Sequence, residues 1–386
     1  MVEQRTENPC VPGSIPGDGN KWIVYLISMK GLGFPDPFSF PVLCFCFSAN
    51  DLGPMVLQLK RKGHPFQNTL KYGFLHSNSM VIIIENMKTV IIGRGSVGTN
   101  VAYNLRNVPG ISFRVDKERE FRTRSNIVFN GEKLAVPTIV ADDTQDKPEL
   151  IVVAVKNFQL ESTFPVIEPL LGENTIILPL LNGIDSERIL SERFGSERVV
   201  YAFISNLSVV REGNRVSSFS KGRITMGEKD NSLSERILKL RDFFLSNGQD
   251  VVIPEDIHHE KWLKFMTNTC FNTLTAILEA DYDATGNNMD MIRVARLVAR
   301  EVQNVGRKMG VELSHDDVET MIRNTSKLSG KGRSSMLEDV LAGRETENRY
   351  FTGAVSRMGK LYSIPTPYCD MLSILLEAKR YVANCH

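Results

Sequence analysis

Residues 88–98, Lys-Thr-Val-Ile-Ile-Gly-Arg-Gly-Ser-Val-Gly, decide how this chain is to be read. Lys88 to Ile92 is a short β-branched run of the kind that fills a buried parallel strand. Gly93-Arg94-Gly95-Ser96-Val97-Gly98 follows it and opens a helix expected over 97–106. A strand, a glycine-rich turn and a helix in that order make the phosphate-cradling corner of dinucleotide-binding α/β folds. Gly93 permits the tight turn, Gly95 lets a pyrophosphate approach the backbone, and Gly98 lets helix and strand pack closely. The helix N-terminus adds N–H groups and the positive end of its dipole. Residues Gly93, Arg94, Gly95, Ser96, Val97 and Gly98 are therefore candidate cofactor-binding residues. The same pattern outside a strand and helix would be only a turn.

Working outward, Asp116 stands 18 residues past Gly98, at the end of the run ISFRV (111–115). That is about where an acid holds the ribose hydroxyls of NAD. Arg114, Lys117, Arg119, Arg122 and Arg124 crowd the same region and are suited to a 2′-phosphate, or to an ordinary solvated loop. The balance leans slightly to NADPH, with NADH the alternative.

Up to about Asp250, apolar runs alternate with helical stretches: LIVVAV (150–155), TIILPLL (175–181) and VVYAFIS (199–205), then GRITMG (222–227) and DVVIP (250–254). The alternation predicts a Rossmann-type parallel sheet with helices on both faces, a dinucleotide-binding domain over 87–254. From Asp256 the strand signals stop. Stretches 258–280, 289–310, 336–362 and 368–385 read as helices, so 255–386 is expected to be an all-helical substrate and catalytic domain. Residues 1–86 differ from both. They hold 8 of the 17 prolines and three of the six cysteines, without helical or strand periodicity. They read as a poorly ordered or non-native extension whose removal leaves activity intact, a functional leader being the alternative.

Composition narrows the partners. Lys+Arg 46 against Asp+Glu 45 gives a net charge of +1, so no strong field draws the chain to nucleic acid or acidic lipid. The apolar run near Val42 to Phe47 falls far short of the about 20 residues a membrane span needs. Six scattered cysteines make neither a disulfide framework nor paired zinc modules, so no metal is expected. With 42% hydrophobic and 24% charged residues, the reading is a soluble, cytoplasmic protein.

In an open α/β sheet the ligand crevice lies beyond the carboxyl ends of the strands. LIVVAV runs into Lys156 and TIILPLL into Asn182-Gly183, either of them able to be a surface lysine or a plain turn. In the helical half, Lys264, Asn268 and Asn272 are four apart, so an α-helix projects all three from one face. They lie among Trp262, Phe265, Met266, Phe271 and Leu274, and a polar stripe on an apolar helix suggests a lined cleft. A lysine there can protonate a forming alkoxide, and amides can bind carboxylate or hydroxyl.

Residues 87–386 resemble the ketopantoate reductases (2-dehydropantoate 2-reductases) of the pantothenate pathway. The resemblance is carried by IIGRGSVG, AVKNFQ, LNGID, GRITMG, KWLKFMTNTCFNTLTAI and SSMLEDVLAGRETENRYFTG, in order along the chain. It implies that Gly93 to Gly98 bind the pyrophosphate and that Lys156 and Asn182 contact the cofactor near the nicotinamide ribose. It makes Lys264 the general acid, Asn268 and Asn272 ligands of the oxoacid, and Ser335 the carboxylate ligand. Glu347 would contact cofactor and orient the lysine, and standing beside Lys264 would keep it protonated at neutral pH. The implied activity is NADPH-dependent reduction of 2-dehydropantoate to (R)-pantoate.

The chain departs from the family at several places. Asn348-Arg349-Tyr350-Phe351-Thr352-Gly353 stands where Ile-Asp-Tyr-Ile-Asn-Gly is usual, so Arg349 replaces an acid and Thr352 an amide. Tyr282 or Asp283 stands near the place of a further Asn, and Gly332 replaces an amide just before Arg333, Ser334 and Ser335. These changes are expected at the substrate end of the cleft. They leave room for a different branched 2-oxoacid, while a non-catalytic dinucleotide sensor would have no use for the lysine, amides, serine and glutamate together. The C-terminal helices are candidates for pairing in a homodimer, though nothing in their pattern separates an interface from a core face.

Overall fold

A computed structural model gives the architecture. It describes strands within 22–82, then residues 86–117, 126–140, 147–328, 330 and 332–383. The chain divides into two units, Met1–Ile84 and Glu85–His386, close to the compositional break at Met87. In the first, β1 (Trp22–Tyr25) pairs antiparallel with β2 (Phe45–Ser48), and β3 (Met55–Lys60), β4 (Gln67–Leu75) and β5 (Ser79–Ile82) form an antiparallel meander.

The second unit is built on the run read first. Its strands are β6 (Thr89–Ile92), β7 (Ser112–Val115), β8 (Val128–Phe129), β9 (Glu132–Lys133), β10 (Thr138–Val140), β11 (Leu150–Val153) and β12 (Ile176–Pro179). Five of them form a parallel sheet in the order β10-β7-β6-β11-β12. Every residue of β6 and β11 is buried, and successive side chains feed opposite cores. Ile91, Phe113, Val152 and Leu178 face one, while Val90, Ile92, Ile151, Val153 and Ile177 face the other. Burial on both faces is what a continuous β-branched run encodes. Strand order reverses between β7 and β11 around β6, and that switch point is where a ligand crevice opens.

After β12 the topology differs from the expected single parallel sheet. Strands β13 (Tyr201–Ser205), β16 (Arg223–Gly227) and β17 (Asp250–Val252) form a separate three-stranded sheet, in which β13 and β16 are antiparallel. The reason lies in the connection. Between Ser205 and Arg223 runs a hairpin, β14 (Val209–Glu212) and β15 (Arg215–Ser218), and without a helical crossover the chain returns antiparallel. The helix Glu235–Ser246 does supply a crossover, so β17 lies parallel to β16. The hairpin also forms a four-stranded sheet with β8 and β9, an element that the apolar periodicity does not reveal.

From Asp256 the chain is helical. Asp256 caps the helix Ile257–Thr267 by accepting from the His258 and His259 N–H groups, an arrangement that contributes about 1 kcal/mol. A third core, from Trp262 and Phe265 to Leu372 and Leu376, joins the helices. Stretch 336–362 is not one continuous helix. It breaks after Leu341, passes Gly343 at φ 63°, and resumes as the helix Thr352–Tyr362. The break carries Glu347. Among the described residues no helix is long and apolar enough to cross a membrane.

Candidate active site

The glycine turn fits a phosphate-bearing ligand by its shape. Gly93 has φ 110°, and a Cβ there would lie 2.3 Å from the Ala154 carbonyl oxygen of β11's extension. A Cβ on Gly98 would lie 2.0 Å from the Gly93 carbonyl oxygen. Gly95 is different, because its nearest neighbour would be 4.0 Å away and the residue is exposed. Gly93 and Gly98 are thus required by protein packing, and Gly95 leaves open space. The helix Ser96–Asn104 begins there with no side chain capping it and no acid in its first turn. Val97 packs on the core below, and Thr99 Oγ1 donates to the Arg94 carbonyl (3.2 Å).

Arginines gather around this turn. The Arg94 guanidinium lies over the Phe113 ring, 5.7 Å from its centroid, and Arg211 of β14 donates to the Arg94 carbonyl. Burial and then the Arg211 charge hold Arg94 below the usual arginine range; burial and then Arg344 do the same to Arg211. Asp116 directly follows β7, next to the glycine turn's strand, and Lys117 is exposed beside it. Arg119, Arg122 and Arg124 lie outside the described residues.

The two strand-end positions and the helix break meet. Lys156, just past β11, donates from Nζ to Asp339 Oδ2 (2.7 Å) and Glu347 Oε2 (3.4 Å). Burial alone would lower the Lys156 pKa, but Glu347 and Asp339 outweigh it and raise it. Glu347, 2% exposed, also accepts from the Asn157 N–H (3.1 Å), Asn157 Nδ2 (2.8 Å) and Asn182 Nδ2 (3.1 Å). Burial pushes its carboxyl up, yet Lys156 and these amides hold it below the usual carboxylate range.

Lys264 joins this group through Asn182. Its Nζ donates to Asn182 Oδ1 (3.1 Å) and to the Ile204 carbonyl of β13 (2.7 Å), and lies 5.3 Å from the Phe203 ring centroid. Glu347, expected beside Lys264 and favouring its charged form, acts on it across Asn182 rather than through a direct hydrogen bond. Both carboxylate oxygens are taken by Lys156, Asn157 and Asn182, and Asn182 stands between the acid and the lysine. The lysine is not kept fully charged either. Burial, then the neighbouring Lys261, lower its pKa to about 7, against the smaller pull of Glu347 and Glu187.

Asn268 and Asn272 share a face with Lys264, but not on a simple α-helix. After Ile257–Thr267 the chain passes through a π-helical turn, Asn268–Asn272, before the α-helix Thr273–Leu278. Such wide turns are frequent at functional sites. Within this turn Asn272 Nδ2 donates to Asn268 Oδ1 (3.3 Å). Ser335 is exposed at the start of the helix Ser335–Leu341, which packs against the π turn. Ser334, not Ser335, ties that helix down, through a 2.7 Å bond to Thr275 Oγ1.

One family model, described as "Ketopantoate reductase PanE/ApbA", matches residues 89–231, and a second, "Ketopantoate reductase PanE/ApbA C terminal", matches 256–380. The chain belongs to the ketopantoate reductase family. It is 27% identical over 308 residues to the 2-dehydropantoate 2-reductase of Lactococcus lactis, covering 76% of this chain and 98% of that one. The Geobacter metallireducens 2-dehydropantoate 2-reductase structure aligns with TM-score 0.66 at 25% identity, over 75% of this chain and 99% of that one. A D-mandelate dehydrogenase bound to NADH and anilino(oxo)acetate aligns with TM-score 0.68 at 24% identity, covering 77% and 99%, a likeness of fold. The chain is thus an oxidoreductase of this family.

Against this ketopantoate reductase background the departures separate. Thr352 is fully buried and donates to Asn348 Oδ1 (2.6 Å), while Asn348 Nδ2 reaches the Ser373 carbonyl (3.1 Å). Thr352 therefore braces the turn that carries Glu347, and exposed Arg349 offers its carbonyl to Arg357. Tyr282 and Gly332 explain each other: a Cβ on Gly332 would lie 2.6 Å from the Tyr282 ring. The Tyr282 N–H donates to the Gly332 carbonyl (3.0 Å) and its hydroxyl to the Arg333 carbonyl (3.1 Å). The glycine makes room for the ring, and the ring fixes the segment leading to Ser334 and Ser335. Reading residues singly missed Asn157, Asp339 and Arg211, whose partners are distant in sequence; only the family-like run SSMLEDVLAGR contained a signal for Asp339.

Proposed function

We propose that this ketopantoate reductase family member reduces 2-dehydropantoate to (R)-pantoate with NADPH, a step of pantothenate synthesis. The observation that carries the reading is Lys264, held by Ile204 and Asn182 at the carboxyl edge of the sheets. A lysine has three N–H donors, and these two bonds leave the third for a substrate carbonyl oxygen. Bound nicotinamide supplies the hydride. Lys264 stabilises the growing charge on oxygen and then gives it a proton, and a pKa of about 7 suits that transfer at neutral pH. Burial favours the neutral amine left behind. Asn182, turned by Glu347 so that its oxygen faces Lys264, keeps the ammonium aimed. Asn268 and Asn272 line the same face for the oxoacid, and Ser335 binds its carboxylate.

Gly93 to Gly98 hold the pyrophosphate, with Lys156 and Asn182 at the nicotinamide ribose. Arg94 and Arg211 favour NADPH over NADH, because half-buried like charges are relieved by an added phosphate. Asp116 and Lys117 flank the adenosine ribose. A homodimer is supported by exposed Tyr368, Met371, Leu375 and Val382, which recur on one face of the helix Pro367–Ala383. A family relative from Staphylococcus aureus is described as dimeric. The Tyr282–Gly332 exchange favours a second reading, reduction of another branched 2-oxoacid. The test is loss of NADPH absorbance with 2-dehydropantoate, with other 2-oxoacids and NADH in parallel. Saturable turnover that is most efficient on 2-dehydropantoate supports the first reading, and a higher efficiency on another oxoacid supports the second.

A further inference from the structure

The helix that carries Lys264 brings a second lysine to the same strand. Lys261 and Lys264 are three apart, on one face of Ile257–Thr267. Lys261 Nζ donates to the Ala202 carbonyl (3.1 Å) and Lys264 Nζ to the Ile204 carbonyl (2.7 Å). Those carbonyls are two residues apart on β13, so they leave the strand on the same side, while β16 pairs along β13. Strand β12 is bridged to the segment just before β13, at Ile177↔Val199. Beyond it, side chains take over what a neighbouring strand would supply.

Glu187, in the first turn of the helix Ser186–Phe194, completes the arrangement. Its Oε1 accepts from Lys261 Nζ and from the Ala202 N–H (3.4 Å), and its Oε2 accepts from Ser186 Oγ (2.9 Å). Lys261 and Glu187 together satisfy both backbone groups of Ala202. They are 4% and 0% exposed, which is deep burial for an ion pair. Burying a charge pair this thoroughly is costly, and apolar side chains often replace such pairs without loss of stability. A role beyond holding the fold together is therefore open to them.

We propose that Lys261 and Glu187 are a positioning pair for Lys264, docking its helix on the β13 edge and fixing the pH range over which it delivers its proton. The proposal rests on Lys264 being the proton donor. Four charged or polar groups face Lys264: Lys261 on its own helix, Glu187 from the helix after β12, and Glu347 through Asn182. Tyr201 lies beyond Glu187, which with burial keeps its phenol protonated. Lys261 opposes a proton on Lys264, and Glu187 favours it less strongly.

The test is the pH profile of kcat in the full-length protein for Lys261→Met, Lys261→Met/Glu187→Gln and Lys264→Ala. The Lys264 signal is titrated in parallel by NMR of the side-chain carbon next to Nζ. Losing the like charge should move the basic limb of Lys261→Met upward by roughly one pH unit or more. The double variant should lie between it and the wild type, and the NMR titration should move with the limb. Reduced kcat with limbs and titrations at their wild-type positions would overturn the proposal, because lost stability alone moves neither. Should Lys261→Met fail to fold, the double variant decides by the same criterion. Lys264→Ala separates the two ideas: near-normal turnover there refutes the proton-donor reading, whereas its loss beside an unmoved limb refutes the pair alone.

Discussion

Replacing Glu347 with glutamine keeps its shape and removes its charge, which tests the Asn182 relay directly. Oε1 of Glu347 takes two Asn157 donors at 3.1 and 2.8 Å, and Oε2 takes Asn182 Nδ2 at 3.1 Å and Lys156 Nζ at 3.4 Å. A glutamine offers one oxygen and one NH2, so two of the four donors must face another donor. A buried donor left without a partner costs about 1–3 kcal/mol. If about 3 kcal/mol of this falls on the alignment of Asn182 and Lys264, kcat drops about 100-fold. Lys156 keeps Asp339 at 2.7 Å, so cofactor affinity should suffer less. Losing the Glu347 charge also removes a group that favours protonated Lys264. The basic limb of kcat in Glu347→Gln should therefore move to lower pH. The assay is kcat against pH at saturating NADPH, with thermal unfolding followed on the same samples. A variant that melts earlier but retains wild-type kcat and limb position would show that Glu347 only braces the fold.

Other expectations follow from the same contacts. Lys264→Ala should lower kcat by about 10²–10⁴-fold while NADPH still quenches or enhances fluorescence on binding. Gly98→Ala, whose Cβ would sit 2.0 Å from a carbonyl oxygen, should lower the melting temperature sharply; Gly95→Val should leave melting nearly unchanged and abolish cofactor binding. Asp116→Ala should change the ratio of kcat/KM for NADPH and NADH, and an unchanged ratio removes Asp116 from the ribose. Chain lacking residues 1–86 should keep its kcat, measured beside the full-length protein.

The glycine turn was legible because its demands are local. Gly93 needs positive φ, Gly98 needs contact with Gly93, and both lie within a single turn. The parallel sheet was legible for a related reason, since burial on both faces leaves an uninterrupted β-branched run. Lys264, Asn268 and Asn272 were found by helical spacing, although the π turn that carries the amides has no signature in residue type alone. What spacing could not reach were partners set by tertiary folding. Lys156 meets Asp339 across 183 positions and Lys261 meets Glu187 across 74. The antiparallel return of β16 was hidden because short, polar-edged hairpin strands look like loop.

For Lys264 as the proposed proton donor, the surrounding contacts decide how an acid is prepared for work at neutral pH. A carboxylate touching Lys264 would hold its proton and make a weaker acid, with a pKa above 10.5, the ordinary lysine value. The fold does the reverse. It gives the Glu347 charge to Lys156 and the amides, sets Asn182 between, and lets burial and Lys261 bring Lys264 down to about 7. A consequence can be checked without substrate. The unfolded lysine binds its proton up to about pH 10.5, whereas the folded one releases it from about 7. Between those values the unfolded state carries more protons, so wild-type stability from this group falls as pH is lowered through that window. Lys264→Met lacks the effect. Its melting temperature should gain on the wild type as pH drops from about 10 to about 7, then run parallel below. A constant difference across the window would mean that Lys264 titrates like an ordinary surface lysine, and its assignment as the neutral-pH proton donor would fall with it.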